Sequence, residues 1–158
     1  MTTEFIKGMI VYRIGRTKWS KDLNGEGSRL NGGRWNNIGV PCIYTSSSRA
    51  LSLLEYSVHT PLDMIPRALN FTAYEIPVDQ IFKCNEAMLP GNWKQIAYSQ
   101  ECKDFGSKLL GQYLIIQLPS VILPYEVNYL LNPNYTNFFE LVKITEILDY
   151  SYDLRIKQ

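Results

Sequence analysis

Pro41-Cys-Ile-Tyr-Thr-Ser-Ser-Ser-Arg-Ala-Leu-Ser-Leu-Leu-Glu-Tyr-Ser-Val-His59 turns from strand to helix within a few residues. Pro41 to Thr45 reads as a short strand. Ser46, Ser47 and Ser48 then offer side-chain oxygens to the free N–H groups of a first helical turn, which predicts a helix running to about His59. Leu51, Leu54 and Val58 define its apolar face. Glu55, four residues after Leu51 and three before Val58, falls on that same face. A carboxylate among leucines has to be paired, hydrogen-bonded or protonated, because burying it alone is costly. It is either half of a structural ion pair or an acid or base tuned by its surroundings. Arg34 or Arg13 is the expected partner in both cases.

Outward from this unit, Met9 to Gly15 is rich in β-branched and aromatic residues and ends at a glycine, a strand pattern. Arg16 to Gly33 is polar and glycine-bearing, and reads as a long functional or mobile loop. Thr60 to Arg67, with two prolines, is a connection. Leu69 to Ile76 predicts a strand, with 81–83 continuing it after a turn. Between Asn92 and Tyr113, the spacing of Cys102, Phe105, Leu109 and Tyr113 predicts a helix. Residues 114–118 and 121–123 are apolar and β-branched, 138–149 reads as a longer strand, and 153–156 as an edge segment. Short mixed strands with a few helices, lacking regular βαβ alternation, predict a single-domain α+β fold.

Composition excludes several classes. The 158 residues suffice for one core, and 46% hydrophobic with 20% charged residues is ordinary globular usage. A net charge of +1 with no basic run argues against direct nucleic-acid binding by this chain. No stretch approaches the roughly 20 apolar residues of a membrane span, and the N-terminus lacks a signal-peptide pattern. Three widely spaced cysteines read as buried, reduced thiols, so the expected compartment is the cytoplasm.

His59 is the only histidine, which leaves no zinc-ligand spacing and no metal expected. Its plain reading is a residue near a helix C-terminus. Gly25-Glu26-Gly27 has its third glycine misplaced for a dinucleotide fingerprint, no helix is expected after it, and it reads as a loop feature.

The densest candidate is Gly32-Gly33-Arg34-Trp35-Asn36. Two glycines permit close backbone approach or positive φ. Arg34 can clamp a phosphate or carboxylate through its planar fork, with Trp35 packed beneath it. The same residues also fit a tight turn with a solvated arginine. Tyr44 reads as a core ring with a bonded hydroxyl or as a ligand stacker. Arg13, alternating with Tyr12 and Ile14, needs an anionic partner, Glu55 or a substrate phosphate. Ser120 interrupts an apolar stretch, where its hydroxyl can bond backbone or ligand. Asn128 and Asn132 fit turn caps.

Tyr12-Arg13, Gly33-Arg34-Trp35-Asn36, Tyr44, Glu55 and the block from Pro119-Ser120 to Asn128-Tyr-Leu-Leu-Asn-Pro133 together resemble the RES-domain family, named for an arginine, a glutamate and a serine. The match runs from about residue 12 to 142, with Arg34, Glu55 and Ser120 at the naming positions, within one RES domain spanning 1–158. The resemblance implies a fold like that of ADP-ribosyltransferase toxins and the role of toxin in a bacterial toxin–antitoxin pair. It implies consumption of NAD+ as substrate, by hydrolysis or phosphorolysis, or alternatively ADP-ribose transfer to a protein. It also implies a cognate antitoxin with an Xre-like helix-turn-helix domain. Under that reading Arg34, Glu55, Tyr44 and Ser120 are catalytic, and Arg13, Arg34, Trp35, Tyr44 and Asn128 hold the dinucleotide. A non-enzymatic interaction domain, with Arg34 and Glu55 as a buried structural pair, is the remaining alternative.

Overall fold

Hydrophobic and β-branched segments build one seven-stranded sheet in the computed structural model, which describes residues 8–157. The strands are β1 (Gly8–Arg16), β2 (Ile43–Ser46), β3 (Ala68–Pro77), β4 (Ile81–Lys83), β5 (Ile115–Pro119), β6 (Val127–Leu131) and β7 (Lys143–Ser151). Their order across the sheet is β4-β5-β6-β2-β1-β3-β7. The β4–β5 pair is parallel and the others antiparallel. Helices α1 (Glu26–Asn31), α2 (Arg49–His59), α3 (Gln100–Leu110) and α4 (Phe138–Leu141) complete the α+β arrangement predicted from the sequence.

One seam positions the site. β1 pairs with β3 along nine register positions, but meets β2 at Tyr12↔Ser46 alone. The two strands therefore part on either side of that pair, and a cleft opens between them.

Two helices cover the sheet. Ser48 caps α2, its side chain accepting from the Leu51 N–H at 3.0 Å, as the serine run predicted. Leu53 and Tyr56 of α2 pack on Ile14, Leu69, Phe71 and Tyr152. Helix α3, capped by Ser99, buries Cys102 and Leu110 against Trp35, Trp93, Ile116 and Leu130. The third cluster, around Val11, Ile43, Tyr74, Ile115 and Leu131, fills the other part of the core. All three cysteines are free and buried.

Several expectations are corrected. The 16–33 loop carries a 3-10 turn (Thr17–Trp19) and α1, so a helix does follow Gly25. The span 138–149 divides into α4 and β7, because Asn137 takes a left-handed φ of 62° and starts a helical turn. Residues 121–123 are a bend, and in place of an edge strand over 153–156 there is a 3-10 turn at Leu154–Lys157. Asn128 lies within β6 and caps no turn. Val58 is 47% exposed, whereas Ser52 and Ser57 are buried, so the inward face of α2 is rotated from the leucine stripe. Among the described residues, no helix is long and apolar enough to cross a membrane.

Candidate active site

The cleft has a volume of about 310 Å³, at the small end of ligand pockets. β1 supplies Tyr12 and Arg13, β2 Tyr44 and Ser46, α2 Glu55 and His59, and β6 Asn128. Arg34 and Tyr98 close it from outside the sheet.

The turn that carries Arg34 is folded by its own polar groups. Asn36, fully buried, donates from Nδ2 to the carbonyls of Ser28 and Val40, both at 2.9 Å. Its Oδ1 accepts from the Tyr44 hydroxyl at 2.5 Å, and that hydroxyl accepts from the Trp35 N–H at 3.1 Å. Gly33 is required where it stands: a Cβ there would lie 2.6 Å from the Tyr44 hydroxyl and 2.9 Å from Asn36 Oδ1. Burial pushes the Tyr44 hydroxyl well above its ordinary pKa. Tyr44 therefore presents its ring to the cleft, while its hydroxyl is committed to the turn.

Arg34 is only 8% exposed. Its Nη1 donates to the carbonyls of Trp93 (3.1 Å) and Gln95 (2.6 Å), and its Nη2 to that of Ile96 (3.4 Å). The guanidinium faces the Tyr98 ring, with Cζ 4.9 Å from the ring centroid. Trp35 does not pack beneath it: the indole turns into the core and meets Phe105 edge-on. Three of five guanidinium N–H groups are thus taken. Nε–H and one Nη2 hydrogen have no protein partner among the described residues and remain for an anion.

Glu55 is held by three other groups. Ser120 Oγ donates to Oε1 at 2.6 Å, Asn128 Nδ2 to the same oxygen at 2.8 Å, and His59 Nε2 lies 3.3 Å from Oε2. Burial alone would raise the pKa of this carboxyl. The contacts from His59, Ser120 and Asn128 outweigh it and leave Glu55 below the usual carboxylate value. No arginine pairs with it. Arg13 donates to the Trp19 carbonyl at 3.1 Å, and Arg34 to its three carbonyls. The expected Arg34–Glu55 or Arg13–Glu55 pair is absent among the described residues, and with it the basis for a buried structural pair.

Ser120 is fully buried behind Glu55, and its oxygen also accepts the Leu123 N–H at 3.1 Å. Of the two kinds of partner expected for that hydroxyl, protein or ligand, the structure shows protein groups, Glu55 and the Leu123 N–H. Asn128 is steered in turn by Ser46, whose hydroxyl donates to its Oδ1 at 2.7 Å from the facing register position. His59 and Tyr98 were missed from the sequence. The spacing of four residues from Glu55 on one helix signals His59. Tyr98 has no local signal, because it reaches the cleft only through the turn that Arg34 clamps.

The arrangement presents an ionised carboxylate with one oxygen facing the cleft, opposite a guanidinium with free donors. It suits a ligand with an anionic part and a neighbouring centre that becomes positive during reaction. Among the described residues, no group of three or more His, Cys, Asp or Glu is placed to hold a metal ion.

A model of the RES domain matches residues 10–153. The chain belongs to the RES domain family. A protein named Toxin Res from Photorhabdus laumondii is 33% identical over 151 residues, covering 94% of this RES chain and 97% of that protein. The Prs ADP-ribosylating toxin of a Sphingobium species is 33% identical over 162 residues, covering 99% and 98%. Among solved structures, a chain of the M. tuberculosis MbcT–MbcA toxin–antitoxin complex superposes with a TM-score of 0.67 at 17% identity. The superposition covers 92% of this RES chain and 85% of that chain, and at that identity the likeness is one of fold.

Proposed function

We propose that this RES-domain protein is a toxin of a toxin–antitoxin pair, acting in the cytoplasm by cleaving the bond between nicotinamide and ribose in NAD+. The observation that carries the reading is Glu55, an ionised carboxylate fixed by Ser120, Asn128 and His59 across the cleft from Arg34.

In NAD+ the C1′–N bond breaks with its electron pair leaving on nicotinamide, which departs neutral. Positive charge develops on the ribose ring, and a carboxylate beside it lowers the barrier. Glu55 Oε2 stabilises that charge and orients the incoming nucleophile. An oxygen lone pair of water or phosphate then forms the new bond to C1′. Water gives ADP-ribose and a proton released to solvent; phosphate gives a phosphorylated ADP-ribose. Arg34 holds the pyrophosphate through its two free donors, with Arg13 as second cation. The Tyr44 ring forms the wall for nicotinamide, and Asn128, whose amide donates to Glu55, holds the carboxylate toward the ribose. Ser120 acts from behind, as a positioning residue for Glu55.

Transfer of ADP-ribose to a protein uses the same donor site, and the name of the Sphingobium relative favours it as a second reading. The names of the relatives and of the M. tuberculosis complex support a cognate antitoxin, and the resemblance gives it an Xre-like helix-turn-helix domain. The test is incubation of purified protein with NAD+, with and without phosphate, and separately with cell lysate and labelled NAD+. ADP-ribose or its phosphorylated form supports degradation, and label on a protein band supports transfer. Intact NAD+ in every arm contradicts both.

A further inference from the structure

We propose that Tyr98 is a positioning residue that couples the arginine on one wall of the cleft to the carboxylate-bearing helix on the other. Its kinetic consequence rests on the NAD+-cleaving reading, while the coupling is a claim about geometry. Arg34 and Glu55 make no ion pair, yet a continuous chain of contacts joins them through Tyr98. The Arg34 Cζ lies 4.9 Å from the Tyr98 ring centroid. The Tyr98 hydroxyl lies 3.0 Å from His59 Nδ1, and the two rings meet edge-on with centroids 5.8 Å apart. His59 Nε2 then lies 3.3 Å from Glu55 Oε2.

Tyr98 is 41% exposed, too open for its place to be set by core packing. Its neighbours hold it. Trp93 is buried, Arg34 grips the carbonyls of Trp93, Gln95 and Ile96, and Ser99 both caps α3 and donates to Asn92 at 3.1 Å. The arginine fixes the turn, and the tyrosine on that turn fixes the plane of the arginine. Tyrosine suits both tasks. Its ring face attracts the guanidinium, and its hydroxyl addresses the imidazole.

The hydroxyl also selects a tautomer. When the imidazole is neutral with its hydrogen on Nε2, directed at Glu55, Nδ1 is the acceptor and the Tyr98 hydroxyl donates to it. Without that hydroxyl only the carboxylate favours a hydrogen on Nε2, and the other tautomer becomes more accessible. Phenylalanine at 98 would keep the ring face and lose this selection; alanine would lose both.

Because the chain has one histidine, tag-free protein gives a single set of imidazole nitrogen signals by NMR. Tyr98→Phe is expected to move the Nδ1 signal and to shift the tautomer balance away from Nε2–H, with thermal stability unchanged. In NAD+ turnover, Tyr98→Phe is expected to lower kcat roughly three- to tenfold with KM near the parent value, the scale of one hydrogen bond. Tyr98→Ala is expected to raise KM as well, because the arginine loses its support. Imidazole signals that stay in place in Tyr98→Phe overturn the coupling. So does an active parent whose Tyr98→Phe form matches it in kcat. A parent that releases no nicotinamide sinks the NAD+ reading alone, and the imidazole spectrum still decides the role of Tyr98.

Discussion

Ser120 Oγ donates to Glu55 Oε1 across 2.6 Å, tying the buried end of β5 to a helix 65 residues earlier in the chain. Ser120→Ala removes that donor and also strands the Leu123 N–H, which bonds the same oxygen. A hydrogen bond to a charged group contributes about 1.5–3 kcal/mol, so the variant is expected to lose unfolding free energy on that scale and to unfold at a lower urea concentration. Urea titration of both proteins checks it.

The pH dependence follows from the same contact. Burial raises the Glu55 pKa, and the His59, Ser120 and Asn128 contacts more than offset it, so the folded value lies below the ordinary one. A depressed carboxylate contributes stability that is present above the unfolded pKa and lost as pH falls through the folded one. The acid limb of nicotinamide release is therefore expected below the usual glutamate range, and Ser120→Ala is expected to move it upward. Rates measured from about pH 3 to 7 test the direction; a limb that stays put in the variant contradicts it.

Gly106 gives a prediction opposite to helix propensity. Alanine is normally better than glycine inside a helix by about 1 kcal/mol. Here a Cβ on Gly106 would lie 2.0 Å from the Trp35 carbonyl oxygen, so α3 and the Arg34 turn must separate. Gly106→Ala is expected to destabilise the protein by about 1–3 kcal/mol, the range for an overpacked core. It is also expected to slow nicotinamide release, because Arg34 is the next residue along. Differential scanning calorimetry and the release assay read the two effects separately.

Arg34→Lys keeps the charge and loses the fork. One ammonium cannot reach the carbonyls of Trp93, Gln95 and Ile96 while lying flat on Tyr98 and still offering donors to a phosphate. KM for NAD+ is expected to rise at least about tenfold, equivalent to about 1.4 kcal/mol of binding. Steady-state kinetics over a range of NAD+ concentrations checks it.

How legible the molecule was depended on whether the deciding contact is local. Ser48 and the helix after it could be read because capping acts over three residues. The α+β class could be read because strand and helix periodicities differ along the chain. Glu55 was found although Val58, used to define its face, proved exposed: the leucine stripe and the inward face of α2 overlap at Glu55 but diverge one turn later. The partners of Glu55 were misjudged because charge favours an arginine on paper. In the fold, the Ser46↔Asn128 register and the end of β5 bring amide and hydroxyl donors there first. The turn of α4 in 138–141 was hidden because Phe138, Phe139 and Leu141 suit a strand equally well by composition. Tyr98 was invisible because its position depends on a guanidinium about sixty residues away in sequence.

The most direct test of the central claim is the rate of nicotinamide release from NAD+ by the parent protein and by Glu55→Gln. Glutamine keeps the size of the side chain and removes the negative charge that faces the ribose. The account predicts release by the parent and a loss of at least about a hundredfold in Glu55→Gln, within the range for removing one transition-state-stabilising group. Equal rates in a folded Glu55→Gln protein, or no release by the parent, would contradict it.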